Sequence, residues 1–200
     1  MEQNLDLLRQ EIVDKSLEAF REGLFSGTSG NMSCRVAPDE MLITPTSVRY
    51  DALRARDIVR MKLDGTVLEG ELQPSSEWRM HAAVYKAYRE TNAVFHTHSP
   101  YATAFAVVRK SIPAVLIESC VFLGGDIRCA AYAAPGTEAV GTNAIPALRD
   151  RGGCTLANHG VLAVGHDLAQ AYLRAEYIED VAKVYAFSKA LGTPVELASL

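Results

Sequence analysis

The chain carries no concentration of positive charge. Its 200 residues contain 20 Lys and Arg against 24 Asp and Glu, a formal net charge of -4. That balance argues against a nucleic-acid binder or a protein held on an anionic membrane, and it requires any anionic ligand to be held by local donors. Cysteine is scarce: Cys34, Cys120, Cys129 and Cys154 lie far apart with no Cys-x-x-Cys pair. They read as reduced and mostly buried, not as a disulfide framework. No apolar run suits a bilayer, because the most apolar stretch, Ile112 to Leu123, is short and interrupted by Pro113 and Glu118. Met1-Glu2-Gln3-Asn4 lacks the basic-then-apolar order of a signal peptide, so the expected location is the cytoplasm. Linkers, low-complexity tracts and internal repeats are also missing. Residues 1–200 are therefore expected to form one domain, with an apolar share of 48% and a charged share of 22% that are ordinary for a globular protein.

What is present is a series of short apolar runs separated by helical patterns. Leu5, Leu8, Ile12, Leu17 and Phe20 fall on one face of a helix ending before Gly23. Met32–Val36 with Met41–Ile43, and Asp57–Lys62 with Thr66–Leu68, read as two hairpins. A helix is expected from Ser75-Ser76-Glu77 to about Tyr88, with either serine as N-cap. A strand follows at Ala93–His96, then a helix from Pro100 through Val108. Ala114–Ile117 and Ile127–Cys129 read as strands, Gly136–Arg149 as a helix weakened by Gly141 and Pro146, and Cys154–Ala157 with Val161–Val164 as a strand pair. Leu168–Leu191 reads as a long closing helix. Hairpin-like neighbours point to an α/β protein with a largely antiparallel central sheet flanked by helices.

Two constellations carry chemistry. In His96-Thr97-His98 the two imidazoles share one face of a strand, roughly 6–7 Å apart by strand rise. With His159 in a Gly-bounded turn and Glu77 before the strand, they make a ligand set sufficient for a divalent metal such as zinc. His81, one helical turn from Glu77, competes for this role but reads more naturally as a core or surface helix residue. His166, between Gly165 and Asp167, reads as solvated. The second constellation is a set of neutral donors. Ser26-Gly27-Thr28-Ser29-Gly30-Asn31 and Thr44-Pro45-Thr46-Ser47 can aim backbone N–H groups and hydroxyls at one anion, and Ser75 and Ser76 add two hydroxyls at a helix N-terminus. A phosphate can thus be held without arginine.

Gly27-Thr28-Ser29-Gly30-Asn31, Leu42-Ile43-Thr44-Pro45-Thr46, Pro74-Ser75-Ser76-Glu77, His96-Thr97-His98 and Asn158-His159-Gly160, in this order, resemble the class II aldolase/adducin-head family, above all its fuculose-1-phosphate aldolase branch. The resemblance spans nearly the whole chain. It implies a three-layer α/β/α fold and a homotetramer with sites at subunit interfaces. It also implies zinc, with manganese or cobalt as alternatives, held by Glu77, His96, His98 and His159. Glu77 is then also the catalytic acid/base. Thr28, Gly30, Asn31, Thr46, Ser47, Ser75 and Ser76 fall where the family binds substrate phosphate, although Ser47 stands where the fuculose enzymes have Gly.

The second acid/base departs further. Those enzymes carry a Tyr near Leu116-Ile117-Glu118, where the ionisable group of this chain is Glu118; pairing with Arg128 is its structural alternative. The chain also stops at Leu200, without the longer tail of that branch. The implied reaction is reversible retro-aldol cleavage of a ketose 1-phosphate, L-fuculose 1-phosphate or a related deoxy-ketose phosphate, to dihydroxyacetone phosphate and a small aldehyde such as lactaldehyde. Methylthioribulose-1-phosphate dehydratase and ribulose-5-phosphate 4-epimerase chemistry, and a non-catalytic scaffold, are the alternatives.

Overall fold

Ala93-Val94-Phe95-His96-Thr97 is buried throughout and forms β5 (Ala93–Thr97), the strand around which the molecule is organised. Successive side chains of a strand face opposite ways. Phe95 accordingly packs into one core and Val94 into another on the far side. The computed structural model describes residues 4–197, so the signal-sequence expectation rests mainly on residues outside the described ones.

The chain opens with α1 (Leu5–Arg21), capped by the Asn4 side chain, which accepts from the N–H groups of Asp6 and Leu7. Four antiparallel strands follow: β1 (Asn31–Ala37), β2 (Glu40–Ile43), β3 (Val59–Lys62) and β4 (Val67–Glu69). After α2 (Trp78–Ala87), β5 and α3 (Pro100–Val107) come α4 (Ile117–Leu123), β6 (Arg128–Ala130) and α5 (Glu138–Leu148). The chain continues through β7 (Gly153–Leu156), β8 (Gly160–Gly165) and α6 (Leu168–Leu191). The eight strands make one sheet in the order β4-β3-β2-β1-β5-β8-β7-β6. All pairs are antiparallel except β6 with β7. This is the expected mixed α/β fold with a mostly antiparallel sheet.

Helices cover both faces. The larger core joins α1, α3, α4 and α6 to the Phe95 side of the sheet, and the second joins α2 and α5 to the Val94 side. Phe95 is stacked on Phe25 at 5.0 Å and meets Tyr172 of α6 edge-on at 5.5 Å. Burying such a side chain contributes about 1.5–3 kcal/mol, which anchors the strand that carries His96.

Three expectations require correction. Ala114–Ile117 is not a strand; only Ile112 bridges to Ile127, and α4 begins at Ile117. Glu118, just beyond that run, stands in the first turn of the helix. A four-residue apolar run has no period that separates strand from helix. Neither serine caps α2: the N-cap is Glu77, whose side chain makes no capping bond. The orphan N–H groups of that turn are taken instead by tight backbone turns, Trp78 N–H to Ser75 O at 3.0 Å and Met80 N–H to Glu77 O at 2.9 Å. Finally, Asp57 ends a 3-10 turn, and β3 starts only at Val59.

Candidate metal centre and adjoining cavity

The four proposed ligands reach one point from three parts of the chain. Glu77 enters α2, His96 lies near the end of β5, His98 follows it, and His159 sits in the β7–β8 turn. Their ligand atoms all lie within 4.8 Å of one another. Glu77 Oε2 is 3.0 Å from His96 Nε2, and Glu77 Oε1 is 3.1 Å from His159 Nε2. The Nε2 atoms of His96 and His98 are 3.0 Å apart. The three rings meet edge-to-face, with centroids 4.8–5.2 Å apart.

Local chain geometry produces this convergence. Asn158 holds φ +55°, a left-handed conformation, while its N–H donates to Ala106 O and its Oδ1 accepts from Arg109 Nε at 2.9 Å. The turn is thereby fastened to the end of α3, and His159 is directed inward. Gly160 follows because nothing larger fits. A Cβ there would collide with the Thr97 carbonyl oxygen and come within 3.0 Å of the His98 ring and 3.2 Å of the His96 ring.

The donor chemistry fits a cation. His96 Nδ1 donates to the Val161 carbonyl at 2.7 Å, leaving Nε2 as a lone pair aimed at the cluster. Burial, then the adjoining His96 and His159, pushes the His98 imidazole down to about 4, so it is neutral near pH 7. With a cation between them, the two Nε2 atoms can both serve as acceptors toward it. Burial opposes ionisation of Glu77, but the adjoining His96 and His159 outweigh it and hold the carboxyl below the usual carboxylate range. Glu77 Oε1 and His159 Nδ1 are buried with no hydrogen-bond partner. An orphaned buried polar atom costs about 1–3 kcal/mol, a cost that a bound ion removes for the carboxylate. The residues therefore fit a divalent metal.

Beside the cluster lies a cavity of about 340 Å³. Its wall includes Thr28, Gly30, Asn31, Thr46, Ser47, Ser75 and Ser76, together with Glu77, His98, His159 and Pro135. All seven residues expected to contact phosphate thus border one space with the metal cluster. Ser47 holds φ +60°, a conformation that glycine adopts more readily. The Ser75 hydroxyl accepts from the Glu77 N–H at 3.3 Å, so it also ties the carboxylate's backbone to the donor loop.

Other candidates separate clearly. Glu118 is half-buried on α4 and does not border this cavity; Arg128 pairs with Asp126 instead. His166 is exposed and faces Asp167 at 3.0 Å. His81 is fully buried and stands outside the ligand cluster, its ring nitrogens bonded to Asn31 and Ser33. Sequence reasoning did not find Pro135, nor the polar contacts of Ser33 and Tyr85. The i, i+4 spacing of Glu77, His81 and Tyr85 was the available signal for the last.

A histidine–carboxylate cluster that could hold a metal, opening on a pocket of neutral donors and mounted on a mostly antiparallel sheet between helices, defines a class of enzyme scaffold. Residues 10–186 match the family described as Class II Aldolase and Adducin N-terminal domain, and the chain belongs to that family. It is 39% identical to L-fuculose phosphate aldolase of Escherichia coli (strain K12) over 96% of this chain and 88% of that one. It is 37% identical to 5-deoxy-D-ribulose 1-phosphate aldolase of Bacillus thuringiensis serovar kurstaki, over 93% and 87% of the two chains. A solved structure of L-fuculose 1-phosphate aldolase superposes with a TM-score of 0.90 at 37% identity, covering 95% of this chain and 90% of that one.

Proposed function

We propose that this protein is a metal-dependent sugar-phosphate aldolase that cleaves a ketose 1-phosphate reversibly to dihydroxyacetone phosphate and a small aldehyde. The observation that carries the reading is the shared cavity: Glu77, His98 and His159 border the same space as seven neutral phosphate donors. Relatives named for L-fuculose phosphate and 5-deoxyribulose 1-phosphate support a deoxy-ketose phosphate as substrate.

His96, His98, His159 and Glu77 would hold the ion, zinc in the first instance, with manganese or cobalt also suited to nitrogen and carboxylate ligands. When bound, it supplies Lewis-acid stabilisation of negative charge on the substrate oxygens beside the bond being broken. The hydroxyls of Thr28, Thr46, Ser47, Ser75 and Ser76, with Gly30 and the Asn31 amide, hold the phosphate. Remote binding energy is thereby converted into orientation of the reacting carbons. In the synthesis direction Glu77 removes a proton from the hydroxymethyl carbon of dihydroxyacetone phosphate. In cleavage the C3–C4 electron pair stays on C3, and Glu77 returns the proton there.

The C4 hydroxyl must lose its proton as the aldehyde leaves, and Glu118 is the proposed acceptor, acting from a neighbouring copy. Two observations support this placement. Glu118 does not border the cavity of its own chain, and α4 presents Ile117 and Val121, 59% and 60% exposed, as an apolar face suited to burial against a second subunit. A cytoplasmic homotetramer with sites between subunits is the corresponding assembly.

The test is product identity. Metal-loaded protein is incubated with a panel of pentulose and deoxyhexulose 1-phosphates, and the products are weighed by mass spectrometry. Dihydroxyacetone phosphate plus an aldehyde is expected. Loss of water would replace the aldolase reading with a dehydratase, and unchanged mass with altered stereochemistry would replace it with an epimerase.

A further inference from the structure

We propose that Tyr85, Ser33, His81 and Asn31 form a buried, one-directional hydrogen-bond chain that ends on Glu77, and that His81 is a positioning residue for this carboxylate. The inference rests on the proposed role of Glu77 in proton transfer, but the chain itself is testable without turnover.

The two elements supply alternate members. Asn31 and Ser33 are two apart on β1 and share a face; His81 and Tyr85 are four apart on α2 and share another. The Tyr85 hydroxyl is 2.8 Å from Ser33 Oγ, and Ser33 Oγ is 2.7 Å from His81 Nδ1. His81 Nε2 is 2.5 Å from Asn31 Oδ1, and Asn31 Nδ2 is 3.0 Å from Glu77 Oε2. His81, Ser33 and Tyr85 are all but fully buried, so water does not complete or reverse these bonds.

The direction follows from one end. An ionised carboxylate only accepts, so Asn31 must turn its NH₂ toward Glu77 and its Oδ1 toward His81. An acceptor at Oδ1 requires the hydrogen of His81 on Nε2. Burial disfavours the charged ring, so Nδ1 is left as a lone pair. Ser33 then donates to Nδ1, and the Tyr85 hydroxyl donates to Ser33. Reversing any one member sets two acceptors or two donors face to face. With both ring nitrogens engaged, His81 is excluded as a fifth metal ligand.

The consequence falls on Asn31. Its amide borders the cavity while one of its hydrogens is committed to Glu77, so a single residue joins the phosphate loop to the proton-transfer group. His81 fixes which way that amide faces. Without it the amide is free to rotate and present oxygen to the carboxylate.

The direct test is the imidazole spectrum of ¹⁵N-histidine-labelled full-length protein, metal-free and metal-loaded, with His81→Gln used to assign the resonance. A fixed Nε2–H tautomer with Nδ1 accepting is expected in both forms. An Nδ1–H ring, or rapid averaging of the two tautomers, overturns the proposal. In kinetics, His81→Leu should lower kcat by about 10–100-fold, the range for loss of an outer-shell partner, with KM and metal content little changed. His81→Gln retains an amide N–H within reach of Asn31 and should restore most of kcat; wild-type kcat in a folded His81→Leu overturns the positioning role. If His81→Leu fails to fold, Tyr85→Phe removes only the far donor and keeps the Glu77 end that sets the direction, so the ring should retain its Nε2–H tautomer; an Nδ1–H ring in that variant overturns the chain. Should the wild type cleave no sugar phosphate, the functional reading fails while the spectrum still decides the hydrogen-bond chain.

Discussion

Two cavities in this protein differ in a way that reverses the usual weight given to size. The larger, about 1030 Å³, lies beside β1, β3 and the end of α2 and is bordered by Arg35, Arg60, Lys86 and Arg89. It resembles an anion site by charge alone. Yet Arg35 donates to the carbonyls of Pro38 at 2.9 Å, Thr91 at 3.1 Å and Tyr85, and Arg60 is paired with Glu40 at 2.7 Å and Glu69 at 2.6 Å. These guanidinium groups are already satisfied. The cavity of about 340 Å³ carries no Lys or Arg on its wall, but it adjoins converging acceptors and includes a carboxylate oxygen without a partner. Unmet bonding capacity aimed at one point, not volume or net charge, marks the site.

Four changes would break or sharpen this contrast. The largest effect is expected from Glu77→Gln, which keeps the shape but removes the proton-accepting carboxylate; turnover should fall by about 10²–10⁴-fold. Near-normal turnover in a folded variant would remove Glu77 from proton transfer. Gly160→Ala should come next, because its methyl enters the space of Thr97, His96 and His98. Metal titration should show about 10–100-fold weaker binding, and undiminished affinity would mean the rings are not held by that turn.

Acid sensitivity gives the third. Burial, then the His96 charge, pushes His81 down to about 3 from an ordinary value of 6.5. A group whose folded pKa is depressed contributes stability that is complete above its unfolded pKa and is lost as pH falls through the folded one. Metal-free wild type should therefore lose Tm more steeply than His81→Gln between pH 6.5 and about 3. Parallel curves would show that the ring is not held neutral. The smallest effect belongs to the large cavity: Arg89→Ala should leave stability within about 0.5 kcal/mol and turnover unaltered. Impaired cleavage would show that the larger space also serves the reaction.

Much of the fold was legible because its signals are local. Leu168–Leu191 emerged with the bounds read from its pattern, and the β1–β2 pair followed from two short apolar runs near a turn. Ala114–Ile117 was misread because four apolar residues after Pro113 suit a strand edge and a helix approach equally. The residues of the converging cluster were legible because His-x-His and a Gly-bounded His are rare and chemically specific. His81 was harder to read. Its place in a hydrogen-bond chain depends on which residues of β1 face α2, and that is fixed by the pairing of Asn31 with His96 across the sheet.

The amino-acid order by itself determined the donor types: imidazoles and a carboxylate suited to a cation, hydroxyls and glycines suited to an anion, and no net positive charge. Only the tertiary structure decided that residues 77, 96, 98 and 159 share one point, which of the five histidines stay out of it, and which way the amide beside Glu77 faces. The reason is physical. Chemical identity resides in single side chains, whereas hydrogen-bond direction and metal geometry are properties of distances between segments, and these are set by how the sheet and α2 pack.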